Sequence, residues 1–183
     1  MQLVIFCEEL SAKVFLDEFL PPLLPQGVTL RTIPHQGKTD LQKSLPKKLR
    51  AWVDPRAKFV VLHDKDHNDC HKLKTQLRNI CKLARPDIEP LIRIACHELE
   101  SWYLGDPIAL QKAFPKFKAA SVQGKAKFSD VDTLANAAEE LTKLVPEYQK
   151  VSGSRTLGGL MSPHNNASHS FNVFGSGIKK LLT

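Results

Sequence analysis

Four short apolar runs, each followed by a stretch of helical periodicity, constrain this chain more than any other feature. Residues 2–7 (QLVIFC), 28–33 (VTLRTI), 58–63 (KFVVLH) and 91–96 (LIRIAC) read as strands. Between them, residues 11–20 place Val14, Phe15, Phe19 and Leu20 on one helical face. Residues 39–52 and 71–84 form two further helix candidates, the first expected to kink or divide at Pro46. Strands that are apolar throughout, alternating with helices, predict an α/β fold: a mainly parallel four-stranded sheet covered on both faces.

Beyond residue 97 the pattern turns helical, over 99–114 and over 130–145 with Asp130 as N-cap. Residues 151–170, rich in Gly, Ser, His and Asn, read as loop, and a last helix spans about 171–182. The expected organisation is a sheet domain over residues 1–105 with a helical and loop extension over 106–183 packed on it. The 183 residues suffice for a real core, and no apolar run approaches the roughly 20 residues of a membrane helix. The start, MQLVIFCEEL, turns acidic at once and reads as a strand rather than a signal peptide. Cys7, Cys70, Cys81 and Cys96 have no CxxC or disulfide-like spacing, which suits a reducing cytoplasm. A net charge of +7 favours polyanionic partners without separating nucleic acid from acidic protein.

In open α/β sheets ligands bind beyond the carboxyl ends of the strands, so the residues there carry the argument. Glu8-Glu9 follows the first strand, Asp64-Lys65-Asp66 the third, and His97-Glu98-Leu99-Glu100 the fourth. Carboxylates gathered on one rim repel unless cations neutralise them, and hard oxygen donors suit Mg²⁺ or Mn²⁺. Asp64 and Asp66, two apart on an extended chain, are expected to project alike toward one ion.

An apolar strand ending in glutamate (LVIFCE) and a later one ending in DxD (FVVLHDKD) resemble the Toprim domain of topoisomerases, primases and overcoming-lysogenization-type nucleases. The resemblance covers about residues 1–105. ELESWYLGD and YQKVSGSR are similar to small prokaryotic Toprim-like proteins found beside ATPase partners in mobile or antiviral gene clusters. It implies a Toprim-like, Rossmann-like sheet in which Glu8 is a general acid/base or metal ligand. Asp64 and Asp66 would hold Mg²⁺ or Mn²⁺, with Glu100 or Glu98 as a further ligand. The chain departs from that pattern at Glu9, where the family usually has glycine, and at Ala12, where nuclease members often carry a second acid.

Other motifs fail on spacing. GKT at 37–39 lacks the upstream glycine of a P-loop, although Gly37 and Lys38 suit phosphate at a helix start. Asp64, Asp66 and Asn68 begin a calcium loop that Asp69 and Thr75 break, and Ser101 stands where HExxH needs histidine. His63, His67, Cys70 and His71 have no familiar zinc spacing and read as exposed loop residues, with His67 also a proton-shuttle candidate. Trp102, Tyr103 and Leu104 read as core. Lys125, Lys127, Lys150 and Arg155, interleaved with Phe128 and Tyr148, suit phosphate contacts and base stacking.

The expectation is therefore a metal-dependent nuclease acting on DNA or RNA. The resemblance adds an ATPase partner and a place as effector of an antiviral defence system. A silent regulatory or nucleic-acid-binding subunit is the alternative. A homo-oligomer stays open, and no membrane is expected.

Overall fold

The computed structural model describes residues 1–66 and 68–183. Strands β1 (Gln2–Cys7), β2 (Thr29–Pro34), β3 (Lys58–Asp64) and β4 (Leu91–Ala95) form one all-parallel sheet in the order β2-β1-β3-β4. The α/β reading holds. Helices α1 (Leu10–Phe19), α2 (Lys38–Arg50) and α3 (Cys70–Ala84) follow β1, β2 and β3. Five more follow β4: α4 (Glu100–Leu104), α5 (Pro107–Ala113), α6 (Ala137–Leu144), α7 (Lys150–Leu160) and α8 (His169–Leu182). Among the described residues no helix is long and apolar enough to cross a membrane.

Strand periodicity of two sorts the core into two layers. Leu3, Ile5 and Cys7 of β1 and Val60 and Leu62 of β3 pack with Phe15, Trp102, Tyr103, Leu141, Leu157 and Phe171. Val4 and Phe6 of β1 and Phe59 and Val61 of β3 pack with Leu41, Leu45, Leu49, Leu73 and Leu77. Thus α2 and α3 cover one face, and α1 with the C-terminal helices covers the other. The C-terminal region shares its core with the sheet.

Three expectations about helices are corrected. Helix α2 runs unbroken through Pro46, because Leu41, Leu45 and Leu49 at four-residue spacing anchor both halves to the sheet. The stretch 99–114 is two helices: Asp106 caps α5 by accepting from the Ala109 N–H, and Pro107 opens it. Asp130 caps only a 3₁₀ turn, Val131–Thr133, and α6 begins at Ala137.

The largest departure is α7, which lies in the segment expected to be loop. Three glycines and two serines give it poor intrinsic propensity. Close packing repays that cost. Gly158 faces the backbone of α1 so closely that a Cβ there would sit 2.4 Å from the Phe15 carbonyl oxygen, and one at Gly153 would sit 2.5 Å from the Tyr148 ring. Lys150 pairs with Glu9 and Arg155 with Glu18, so α7 runs parallel to α1. Gly158→Ala should destabilise the protein by about 1–3 kcal/mol, since backbone rather than a flexible side chain must yield. Chemical denaturation would check this; an unchanged midpoint would show that α1 and α7 are not held at this separation.

Candidate functional site

The chain steps from β1 to β2 in one direction across the sheet and from β1 past to β3 in the other. That switch point is where an open α/β sheet leaves a crevice beyond its strand ends. Cys7 is in register with Leu62, so Glu8 emerges beside His63 and Asp64. The Asp64 N–H donates to Glu8 Oε2 at 3.2 Å, and His63 Nδ1 lies 3.3 Å from the same oxygen and 2.6 Å from the Asp64 carbonyl. His63 is buried, contrary to the loop expectation, because it occupies the last inward position of β3. Its Nε2 meets the Gln42 amide of α2 at 3.2 Å, which leaves Nδ1 to donate to the Asp64 carbonyl, with Glu8 Oε2 as a longer neighbour.

The opposite side of the crevice comes from the C-terminal helices. Glu100, at the start of α4, is 1 % exposed, and the Tyr148 hydroxyl donates to its Oε1 at 3.2 Å. Lys150, the first residue of α7, reaches Glu9 Oε1 at 2.7 Å, and Ser11 donates to the same oxygen at 2.8 Å. Glu98 does not join the cluster: its Oε2 accepts the Ala138 N–H at 2.8 Å and caps α6 instead. Of the two glutamates two apart, Glu100 is the one at the crevice.

Like charge and burial leave their mark on acidity. The Asp64 carboxyl is held well above the usual range by burial, then by the charges of Glu8, Glu100 and Glu9, with Lys150 opposing. Glu8 is raised by burial, against the pull of His63 and the Asp64 N–H, with Asp66 and Glu9 adding to the rise. Glu100 is raised by burial, with Lys150 opposing and Glu9 and Glu98 adding. For Lys150, burial works against the charged form, but the bond to Glu9 and the charges of Glu100, Glu9 and Asp64 win, and its pKa rises.

Asp66 departs from the expected twin of Asp64. The strand ends at Asp64, and Asp66 sits in the left-handed region at φ +49°, so the two do not project as neighbours on an extended chain. Its Oδ2 accepts from Lys38 Nζ at 2.9 Å. Its N–H donates to the carbonyl of His97, itself at φ +60°. Two left-handed non-glycine residues facing each other across the rim mark a backbone held in shape by its surroundings, as functional sites often are.

Glu8, Asp64 and Glu100, with Asp66 at the margin, are the residues that could hold a divalent cation. Among the described residues no three Asp, Glu, His or Cys side chains stand close enough together, as they are placed, to hold a metal ion. The donor atoms are hard carboxylate oxygens of the kind that suit Mg²⁺ or Mn²⁺; each carboxyl is raised chiefly by burial, and Asp64 also by the charges of Glu8 and Glu100. His67 lies outside the described residues.

A family model described as a domain of unknown function, DUF4276, matches residues 7–179. The chain belongs to the DUF4276 family. The matched span runs through the sheet and the C-terminal helices alike, so it takes in Glu8, Asp64, Asp66, Glu100, Tyr148 and Lys150. Comparison with curated proteins and with solved structures gave no match.

The remaining sequence candidates of this DUF4276 chain are dispersed. Lys127 is engaged by Glu140 and lies over the Phe128 ring, Arg155 pairs with Glu18, and Lys125 opens a 3₁₀ turn. Tyr148 is buried against Glu100, so it does not offer a stacking face to a base. The residues that sequence reasoning missed are His63, Gln42 and Tyr148 as supports of Glu8 and Glu100. The one signal for them was a histidine at the inward-facing end of β3.

Proposed function

We propose that this protein is a Toprim-like phosphodiesterase that uses Mg²⁺ or Mn²⁺ to hydrolyse nucleic acid. The observation that carries the reading is the strand-end rim at the β1/β3 switch point, where the Asp64 N–H meets Glu8 Oε2 at 3.2 Å and the buried Glu100 lies on the opposite side. Glu8, Asp64 and Glu100 would hold the ion, with Asp66 beside them. An ion held there polarises a phosphate and lowers the pKa of an attacking water.

The protein's own groups have separable tasks. The Tyr148 hydroxyl fixes one oxygen of Glu100, and the Asp64 N–H fixes one oxygen of Glu8, with His63, oriented by Gln42, beside it. Such supports keep carboxylates in place as substrate arrives. Glu8 Oε2 can hold a proton or release it, since burial and its partners oppose each other there. Lys150 sets a positive charge beside Asp64 and Glu100, where it can meet a phosphate oxygen. Lys38, on the far rim beside Asp66, can meet a neighbouring phosphate. No tyrosine is free to attack: Tyr103 and Tyr148 are both buried, which favours hydrolysis over strand transfer. We place this activity in the cytoplasm, where the four free cysteines stay reduced.

Incubation with DNA and RNA in Mn²⁺, in Mg²⁺ and in chelator, with and without an ATPase encoded beside the gene, tests the proposal. Metal-dependent cleavage in any of these settings is the expected result. Binding without cleavage in all of them would replace it with the silent binding-subunit reading.

A further inference from the structure

The net charge is not spread over the molecule. Residues 38–85 hold 13 Lys and Arg against 5 Asp and Glu, whereas the remainder of the chain holds 13 against 14. The excess therefore lies in the α2–β3–α3 unit, on the face of the sheet opposite the C-terminal helices. Within it, residues 41–53 and 70–86 contain no acid at all.

Helix periodicity arranges these bases in two stripes. Lys43, Lys47 and Arg50, at i, i+4 and i+7, share one side of α2, and Lys74, Arg78 and Lys82, at i, i+4 and i+8, share one side of α3. The two helices run in the same direction: Gln76, midway along α3, donates to Gln42 of α2 at 3.0 Å, and Arg85 reaches the Trp52 carbonyl near their ends at 3.1 Å, so the α3 stripe lies on the side of that helix turned away from α2. Both helices begin at the rim, α2 with Lys38 on Asp66 and α3 just after the DxD turn.

Among the described residues none of the six stripe bases forms an ion pair, whereas Lys127, Lys150 and Arg155 all do. Like charges four apart weaken a helix unless something outside neutralises them. A surface that keeps both stripes without one interspersed acid, on helices that begin at the carboxylate rim, complements a linear polyanion.

We infer that the α2–α3 face is the track along which a nucleic-acid backbone lies, so that the substrate is a polymer rather than a small phosphoester. The inference rests on the phosphodiesterase reading for its choice of polyanion, and it moves the main grip away from the C-terminal bases. The 15 residues of α3 span about 22 Å, or roughly six base pairs of duplex.

The test is binding measured by fluorescence anisotropy in chelator, where nothing turns over, across a salt series. The probes are a duplex of about 30 base pairs, an RNA single strand of similar length, and a fragment of about four nucleotides. One variant carries Lys43→Gln, Lys47→Gln, Lys74→Gln, Arg78→Gln and Lys82→Gln; a control carries Lys125→Gln, Lys127→Gln and Arg155→Gln. The first should lose at least about tenfold in affinity for one or both long probes and about four units of salt slope, the control less than about threefold. The short fragment should bind weakly to all forms. A charge-preserving variant with Lys43→Arg, Lys47→Arg, Lys74→Arg and Lys82→Arg should keep the wild-type slope, which separates loss of charge from loss of fold. Equal losses in both neutralised variants, or none in the first, would overturn the inference and leave the crevice reading untouched. So would wild-type binding to vesicles of anionic phosphatidylserine with none to nucleic acid. Wild type that binds through this face yet never cleaves would remove the phosphodiesterase reading and leave the track standing.

Discussion

Glu8→Gln should lower the rate of nucleic-acid cleavage by about 10²–10⁴-fold, the usual worth of a positioned proton-transfer group, while affinity changes little. The amide keeps the size of the side chain and can still accept from the Asp64 N–H, so the crevice should retain its shape. What it loses is the capacity to take up or release a proton and one charged oxygen for the cation. Interactions of that kind act in the transition state and contribute little to ground-state grip, which the unpaired bases supply. The double variant Asp64→Asn with Asp66→Asn should go further and abolish Mn²⁺ binding in calorimetry, because it removes two of the carboxylates that make a dication favourable at the rim. Rates, salt-dependent affinities and Mn²⁺ titrations on the same three proteins check the division of labour. Full cleavage by Glu8→Gln would end its assigned role, and unchanged Mn²⁺ affinity in the double variant would end the metal assignment.

The second large effect concerns stability against pH. Burial, and then the charges of Glu8, Glu100 and Glu9, raise the folded-state pKa of Asp64; burial leads the rise at Glu8 and Glu100 too. A carboxyl whose pKa is higher in the folded than in the unfolded chain binds more protons when folded. Its contribution is fully present below the ordinary carboxyl range, near pH 4, and is lost as pH rises through the folded value. In chelator, the wild type should therefore lose stability relative to Asp64→Asn as pH climbs from about 4 to 8. At pH 8 the variant should melt about 3–6 °C higher, the size expected when one charge leaves a crowded cluster of a chain this long. The groups facing Asp64 are Glu8, Glu9, Glu100 and Lys150, and the ammonium of Lys150 stays charged throughout this range. Addition of Mn²⁺ at pH 8 should raise the wild-type midpoint and leave the double variant's unchanged. Melting curves that run parallel from pH 4 to 8 would mean that Asp64 is not under the strain described.

The sheet and three of its covering helices are legible in the residues alone, because both periods are local. Apolar runs such as KFVVLH and the i, i+4 spacing of Leu41, Leu45 and Leu49 need no distant partner to be recognised. The sequence also placed acids at three strand ends, since a parallel sheet puts those ends on one rim whatever the strand order. Asp106-Pro107 was a legible break between α4 and α5, written in capping chemistry that a longer helical pattern obscured. The remaining features arise from contacts between distant segments. Helix α7 has a glycine- and serine-rich sequence of low propensity, and it is helical because α1 accepts it only where side chains are missing. Tyr148 meets Glu100 across 48 residues of chain, and His63 meets Glu8 across 55, contacts that no local pattern encodes. Whether Glu98 or Glu100 joined the site depended on the N-terminus of α6, which took Glu98 as its cap. Which lysines stay free for a polyanion depended on which found a carboxylate in three dimensions, and charge in a sequence carries no record of its partner.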